Sequence, residues 1–369
     1  MALIGLLLVG CSGATQAHWP GLTAVGERVY VAHGTGVVAV DMDARQQGWR
    51  YTGEGTVQFY APPAVEDGRI IIGDYGSSGG LFSSGLTVSI YALDEVASGN
   101  PTVSWVKDDI VSGRVFAQPL YVGDLVIVGT SDNQIVALNA DDGSKVWAFQ
   151  TGNAIWGQPA HKDDLIFVTS VDRHIYALNH DTGELVWDKT LSGANASSPV
   201  VNGDLVYVGS FDKKLHAYEM ATGTEVWTAT AEDWIWGAPL YTAETVYYTD
   251  LQGNVYAVEA DTGEPIWAQK VTGSVQAAPV LVDGVLYIAS TDPSSVEIPQ
   301  GYLTAFNAAD GSPAWDAEVQ VEAPIHATPV VVGDSLVVAV ILNDTNIFEI
   351  IQYNLQTGAK IWSFTPPTE

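Results

Sequence analysis

The sequence predicts an all-β fold, an eight-bladed β-propeller of four-stranded antiparallel blades, and three observations carry that prediction. A tryptophan that follows a turn recurs eight times along the 369 residues. A proline that opens an apolar run recurs eight times in step with it. Between the two markers, apolar and polar residues alternate in short runs split by Gly and Asp. Period-two runs divided by such turns read as strands and hairpins, not helices.

The tryptophan marker is clearest in ALNADDGSKVW, ALNHDTGELVW, AYEMATGTEVW, AVEADTGEPIW, AFNAADGSPAW and QYNLQTGAKIW, which end at Trp147, Trp187, Trp227, Trp267, Trp315 and Trp362. Weaker copies end at Trp49 and Trp105, and the successive spacings from Trp147 to Trp267 are 40 residues each. Periods of this size belong to propellers and arrays. The prolines are Pro20, Pro63, Pro119, Pro159, Pro199, Pro239, Pro279 and Pro329. One full unit, from Pro199 to Trp227, has four short runs separated by NGD, FDKK and ATG, which predicts strands A to D from each proline onward. The Thr-Gly pair, as at Thr182-Gly183, supplies the positive φ of a tight C–D turn. The tryptophan is expected on the outer strand D, with its ring filling space between neighbouring blades. Eight such sheets set radially leave only short, protected edges. Each unit holds its own four strands, so an N-terminal strand completing the last blade is not required.

Composition agrees. A hydrophobic content of 47% suffices for a large core, and 37 Gly with 12 Trp suit many short strands. The formal net charge is −29; such a surface repels phosphate backbones, and no basic stripe offsets it, which argues against nucleic acid as a partner. The opening MALIGLLLVGCSG is too short an apolar run to span a bilayer. Its Leu8-Val9-Gly10-Cys11 resembles a bacterial lipobox, although no Lys or Arg precedes the run. The expected organisation is a lipoprotein signal peptide over 1–10, a tether over 11–19 lipidated at Cys11, and the propeller over 20–365. A plain signal peptide with an incidental cysteine is the alternative. Cys11 is the only cysteine, so its lipidation leaves none for a disulfide or a Cys-based metal site.

The AxxxxTGxxxW signature resembles the tryptophan-docking repeat of pyrroloquinoline-quinone (PQQ) type propellers, from about Pro20 to Trp362. Eight copies match that family's blade count. The repeat serves both quinoprotein dehydrogenases and non-enzymatic scaffolds, so function has to be argued from the site.

In a four-stranded blade the B–C turns and the D-to-A links share one face. The A–B turns, on the other face, are short and acidic (VGD, KDD, NGD, VDG) and read as solvated. The B–C turn swells to GDYGSSGGLFSSGL in the second blade and TDPSSVEIPQGY in the seventh. Insertions confined to one face mark the binding face. On that face, the position three before each A-strand proline holds Tyr60, Phe116, Trp156, Ala196, Trp236, Gln276 and His326 from the second blade onward, with Trp234 close by. Two links, AIWGQP and WIWGAP, are near copies, while NASSP midway between them has no aromatic. The expectation is a partly apolar docking surface for a peptide or ligand made by Tyr60, Phe116, Trp156, Trp234, Trp236 and His326 around one mouth of the channel. The structural alternative is that these rings plug the mouth and pack adjacent blades.

Resemblance to quinoprotein dehydrogenases implies PQQ stacked on a mouth tryptophan, here Trp156 or Trp236, with calcium and a catalytic Asp nearby. The alcohol dehydrogenases of that family also carry adjacent cysteines and long loop insertions, whereas this chain has one cysteine and two modest insertions. Asn153, Asn195, Asp233 and Glu322 are channel-side oxygen donors on separate blades, with no evident convergence on a calcium ion. GSSGG around Ser78 matches a nucleophile elbow, but no helix follows it. The histidines, His174, His180 and His216 among them, show no ligand spacing. No phosphate-cradling loop precedes a helix. The expectation is therefore no catalytic residue, no metal and no cofactor, with PQQ and calcium disfavoured.

A lipid-anchored eight-bladed propeller without a catalytic constellation resembles the BamB-type lipoproteins of the outer-membrane β-barrel assembly machinery. That resemblance implies a non-enzymatic scaffold of the bacterial envelope at the periplasmic face of the outer membrane, consistent with Ser12 after the cysteine. It implies a protein partner, such as a β-barrel assembly subunit, and membrane contact through the lipid anchor only. Members of that family carry a Leu-Arg-Gly-Glu stretch before Ser-Ala-Pro at the fifth A strand; here the link reads LSGANASSP, Leu191 to Pro199, without an arginine. The alternatives are a surface-anchored propeller that binds another protein, glycan or small ligand through the same mouth, including on a single-membrane cell, and then a PQQ-dependent dehydrogenase.

Overall fold

Proline fixes φ and brings no ladder donor, so it suits the residue just ahead of a strand. Each A strand starts directly after its proline: Gly21, Ala64, Leu120, Ala160, Val200, Leu240, Val280 and Val330 are their first residues. The structure is a computed structural model that describes residues 20–78, 86–242, 244–294, 299–342 and 347–367. The expected signal peptide, tether and lipidated Cys11 lie outside the described residues. Among the described residues there are eight four-stranded antiparallel sheets and no helix. Blade 5 is representative, with strands Val200–Asn202, Leu205–Gly209, Lys214–Glu219 and Glu225–Thr230. The A strands are innermost and neighbour one another around the ring.

The tryptophans join the blades. In blade 4, Trp187 lies on the outer strand Leu185–Thr190, opposite Ala177. The ladder then skips Val186 before Leu178 meets Leu185, a bulge that turns the indole inward and leaves Val186 at the rim, 50% exposed. The same shift falls at Val146, Val226 and Ile266, and it also roughens the outer edge strands against pairing with other chains. Trp187 Nε1 donates to Met220 O of the next blade at 2.9 Å. Trp147, Trp227, Trp267 and Trp315 donate likewise to His180, Ala260, Ala308 and Leu355 carbonyls, at 2.8, 3.0, 2.9 and 2.8 Å.

The Thr-Gly turn has a second role that the turn geometry alone does not announce. Gly223 has φ +66°, and a Cβ there would stand 2.7 Å from the Trp187 ring. The glycine thus closes its own C–D turn and lets that turn lie flat on the preceding blade's tryptophan. Core residues accordingly come from adjacent blades together: Phe167, Ile175 and Trp187 pack with Val206, Val208 and Tyr218.

Three features differ from the sequence expectation or extend it. Trp315 precedes its short outer strand Val319–Val321 and is not part of it; only an isolated bridge from Pro313 to Phe306 and a bond from Ala314 N to Ala305 O at 2.8 Å hold this segment to strand C. Blade 8 extends toward the B–C face as blade 7 does, through eight-residue strands Ser335–Leu342 and Ile347–Asn354. In blade 2 the insertion carries a two-stranded ribbon, Ser77–Ser78 with Leu86–Thr87, and among the described residues no helix follows Ser78. Every blade is completed by four strands of its own in chain order, with the ribbon interposed in blade 2. The first and last blades meet through a shared core that includes Leu22, Val31, Val337 and Ile350, with Arg50 Nη1 donating to Pro367 O at 3.4 Å across the seam.

Candidate docking site at the channel mouth

Each D-to-A link runs extended, so successive side chains point in opposite directions. The position four before the proline points into the core: Phe59, Val115, Ile155, Ile235, Val275 and Ile325 are all buried. The position three before it therefore faces the mouth, where Phe116, Trp156 and Trp236 are half-buried and Tyr60 is buried. The next position must be small because the following link crosses it. A Cβ on Gly157 would lie 2.8 Å from Ser197 O, and one on Gly237 would lie 2.5 Å from Ala277 O. Neighbouring links are also bonded to each other, by Gln158 N donating to Ser198 Oγ at 2.8 Å and Ala278 N to Thr328 Oγ1 at 3.0 Å. The mouth is thus a rigid ring of links carrying its side chains outward.

An aspartate in or next to the B–C turn fixes most links. Asp172 accepts from Gly152 N at 2.6 Å, and Asp250 accepts from Glu232 N and Asp233 N at 3.1 and 3.2 Å. Asp132 accepts from Ser112 N at 3.0 Å. Burial pushes the Asp132 carboxyl up, but hydrogen bonds from Thr130 and Ser112 outweigh burial and hold it below the ordinary value. Asp74 of blade 2 is fully buried and goes the other way. Burial raises it despite bonds from Ser89 N at 3.1 Å, Gly76 N at 2.9 Å and the Tyr91 hydroxyl at 3.2 Å.

The mouth aromatics form a continuous arc. Tyr60 meets Tyr75 at 5.3 Å, Tyr75 meets Phe116 at 5.5 Å, and Phe116 meets Trp156 at 5.9 Å. Trp156 then meets Trp236 at 5.8 Å. Phe211 stacks on both Trp236 and Trp234, at 5.3 and 4.8 Å. At the other end, Tyr60 meets His33 and His33 meets Phe348, at 5.9 and 5.5 Å. Five of the six sequence-derived residues are therefore brought together: Tyr60, Phe116, Trp156, Trp234 and Trp236. The sixth, His326, pairs through Nδ1 with Gln276 Oε1 at 2.9 Å, and burial lowers its pKa, which favours the neutral ring. Burial, reinforced by Tyr75, pushes the Tyr60 phenol up to about 12, so it stays neutral.

Tyr75 and Phe211 were not evident in the sequence pattern. They occupy one repeated B–C position, identified by its backbone bond to the link: Tyr75 N to Gln58 O, Ser131 N to Arg114 O, Val171 N to Ala154 O, Phe211 N to Ala194 O and Leu251 N to Trp234 O. Arg114 is also at the mouth, its guanidinium 4.4 Å from the centre of the Tyr75 ring and its Nε donating to Tyr75 O at 3.2 Å. A cation over an aromatic face in a chain of net charge −29 makes this part of the mouth both apolar and locally positive.

The absence of an aromatic at Ala196 has a geometric account. Trp156 and Trp236 belong to the links on either side of it and touch each other across it. A ring at Ala196 would stand between them. Its link is altered one position earlier as well. Blades 3 and 5 end strand B in Gly129 and Gly209, against which Ile155 and Ile235 press. Blade 4 ends strand B in Thr169, and the opposing residue is the shorter Asn195. Thr169 Oγ1 donates to Ser197 O at 2.6 Å, while the Asn195 amide nitrogen can face Gly209 O at 3.2 Å.

The four channel-side oxygen donors do not converge. Asn153 Oδ1 accepts from Ala154 N at 2.8 Å, Asp233 lies 3.6 Å from Lys213 Nζ, and Asn195 is buried. Among the described residues no group of three or more His, Cys, Asp or Glu could hold a metal ion. Calcium takes six to eight oxygens, and these four side chains, on separate blades, do not by themselves assemble such a set.

The sequence matches the family described as outer membrane protein assembly factor BamB over residues 13–154, 149–233 and 212–365. A protein of that description from Burkholderia pseudomallei (strain K96243) is 30% identical over 129 residues, a stretch that spans 34% of this chain and 29% of the relative. Among solved structures, BamB from Moraxella catarrhalis superposes with a TM-score of 0.69 at 18% identity, covering 89% of this chain and 95% of that one. The computationally designed protein Ika8 gives 0.69 at 12% identity, covering 88% and 93%. A europium-containing methanol dehydrogenase gives 0.66 at 13% identity, covering 82% and 77%. At such identities the structural likeness shows the fold alone.

Proposed function

This chain belongs to the family of outer membrane protein assembly factor BamB, and from that premise we propose that it is a non-enzymatic, lipid-anchored scaffold of the bacterial envelope. Its partner is a protein, a subunit of outer-membrane β-barrel assembly, held at the B–C face. The observation that carries this reading is the arc of touching rings from Phe348 to Trp234, on the face where blades 2, 7 and 8 extend. Interface anchors are typically aromatic residues and arginine with ordered neighbours, and Trp156, Trp236, Phe116 and Arg114 meet that description. The scattered oxygen donors support a role without metal or quinone. The anchor is the lipid on Cys11, at the periplasmic face of the outer membrane.

The test is affinity isolation of the lipidated protein from its own envelope, with mass spectrometry of what accompanies it. Recovery of a β-barrel assembly subunit by the wild type, and its loss with Trp156→Ala/Trp236→Ala at unchanged cooperative unfolding, supports the proposal. Recovery of the protein alone sinks a stable assembly complex. Loss of cooperative unfolding in the variant identifies the rings as structural plugs.

A further inference from the structure

On the face opposite the mouth, blade 4 carries two histidines with no role in the docking site. His161 is in strand A, Ala160–Lys162, and His180 follows strand C, His174–Asn179. The equivalent C-strand position, defined by the carbonyl that receives the preceding blade's tryptophan, is Ala140, Met220, Ala260, Ala308 or Leu355 elsewhere. The middle A-strand residue is Tyr121, Val201, Leu281 or Val331 in other blades. In blade 4, by contrast, both positions are histidine.

Three ligand-type atoms converge there. His161 Nε2 lies 3.3 Å from His180 Nδ1, and the rings are 5.3 Å apart and inclined at 64°. Asp163 O lies 2.7 Å from His161 Nε2 and 3.1 Å from His180 Nδ1. This carbonyl is presented by a turn in which Asp163 itself has φ +51°. The fourth contact sets the tautomer. His180 Nε2 lies 3.0 Å from Asp181 Oδ1, so the carboxylate holds the imidazole proton on Nε2 and leaves a lone pair on Nδ1. A single proton, on His161 Nε2, then faces two lone-pair atoms, His180 Nδ1 and Asp163 O. With that proton on His161 Nδ1 instead, one cation set over the triangle would serve all three.

The spacing matches a transition metal. Ligand bonds of about 2.0–2.1 Å place two cis ligand atoms about 2.9 Å apart at octahedral and about 3.3 Å apart at tetrahedral angles. The three separations are 2.7, 3.1 and 3.3 Å. Two imidazole nitrogens and a carbonyl oxygen, with water completing the sphere, suit a divalent ion of borderline softness. Magnesium and calcium prefer all-oxygen sites. We propose that His161, His180 and the Asp163 carbonyl form a surface site for zinc(II) or copper(II), with Asp181 orienting His180 from behind. The site needs only two side chains plus the main chain, and it joins the A–B turn to the carbonyl on which Trp147 docks, His180 O at 2.8 Å. Bound metal therefore clamps the junction of blades 3 and 4.

The experiment is calorimetric titration of the untagged full chain with zinc chloride in excess magnesium, which occupies the acidic surface nonspecifically. A single zinc site is expected in the wild type. His161→Gln and His180→Gln should each weaken it by about tenfold or more, and Asp181→Asn by about tenfold, the usual scale for an outer-shell carboxylate. His161 is exposed, so its variant keeps the fold, and a thermal midpoint measured without zinc verifies this for all three. Copper(II) added to the wild type should give an electron paramagnetic resonance spectrum with coupling to two imidazole nitrogens, and to one in either histidine variant. No zinc binding above the magnesium background would overturn the site. So would binding unchanged in both histidine variants, which assigns the metal to surface carboxylates.

Discussion

The substitution Gly223→Ala, made alone and on Trp187→Ala, tests the interlock between blades 4 and 5. In the wild type the added methyl meets two obstacles. Gly223 has φ +66°, a conformation that costs an L-residue about 1–2 kcal/mol. Its Cβ would also stand 2.7 Å from Trp187 Cδ2 and Cε3, and the same distance from Lys189 Cε. The lysine end can swing away, but the indole is 8% exposed and tied to Met220 O, so it cannot move without loss. Overpacking of this kind costs about 1–3 kcal/mol. Gly223→Ala should therefore destabilise the fold by about 2–5 kcal/mol, the sum of backbone strain and overpacking. Trp187→Ala alone should cost about 3–5 kcal/mol as a large buried truncation. In the double variant the steric obstacle is gone and only the backbone strain persists. The two losses should then fall short of additivity by the overpacking share, about 1–3 kcal/mol. Urea unfolding of the four proteins gives the cycle directly. Additivity within about 0.5 kcal/mol, or a neutral Gly223→Ala, would show that the turn does not rest on the ring.

The remaining predictions concern the seam, the carboxylates and the mouth. Trp362 packs against the core that holds Met42 of the first blade, but it is half-exposed and stacks on Phe364 at 5.9 Å, so Trp362→Ala should cost less than Trp187→Ala, which also loses the bond to Met220 O, by about 1 kcal/mol, read by the same unfolding assay. Asp74, raised by burial, contributes stability that is full below its unfolded pKa near 4 and is lost as pH rises through the folded value, so Asp74→Asn should gain on the wild type from about pH 4 upward. In Asp212, the hydrogen bond and charge of buried His216, 3.1 Å away, outweigh the upward push of burial and hold the carboxyl low. Its contribution is therefore present above the unfolded pKa and lost as pH falls through the folded one, and Asp212→Asn should be costly at pH 7 and progressively less so below about pH 4; urea midpoints at pH 3, 5 and 7 that move alike for both variants would contradict the assignment. Ala196→Phe should wedge apart Trp156 and Trp236, destabilising the fold by about 1–3 kcal/mol and removing the near-ultraviolet dichroism of the pair, which should vanish equally in Trp156→Ala.

Most of the fold is legible because its markers act through the backbone. Proline ahead of strand A, glycine in the C–D turn and the periodic tryptophan each impose a local geometry that repetition multiplies. The two misreadings occur where a backbone feature leaves no such mark. Trp315 is spaced from its turn like the others, and Pro265 of blade 6 stands in a regular ladder where blade 7 has Pro313 in an isolated bridge, so the residue types do not distinguish the two. The blade 8 extension is taken up by longer strands, Ser335–Leu342 and Ile347–Asn354, and the turn-type run between them, NDTN, is no longer than an ordinary turn. The His161 and His180 pair is hidden for a different reason. The residues stand 19 apart in sequence, and only the return of strand C beside strand A brings their rings to 5.3 Å.

The mouth shows where reading a repeat reaches its limit. The position three before each proline can be read off because the link is extended and strictly alternating, and that alone identifies Tyr60, Phe116, Trp156 and Trp236. The B–C position holding Tyr75 and Phe211 is filled elsewhere by Ser131, Val171 and Leu251, so no residue type marks it, and yet its two rings complete the arc. Ala196 is the converse case, a departure from the pattern that makes the pattern work. A fifth-link aromatic would keep the repeat regular and separate the two tryptophans. An alanine lets residues 80 positions apart make one surface at 5.8 Å. The opposing Thr169, in place of the glycine of the flanking blades, reclaims the volume beneath. Pairwise compensation of this kind, small above and larger below, is a packing constraint between blades. It becomes visible only when adjacent repeats are placed side by side in three dimensions.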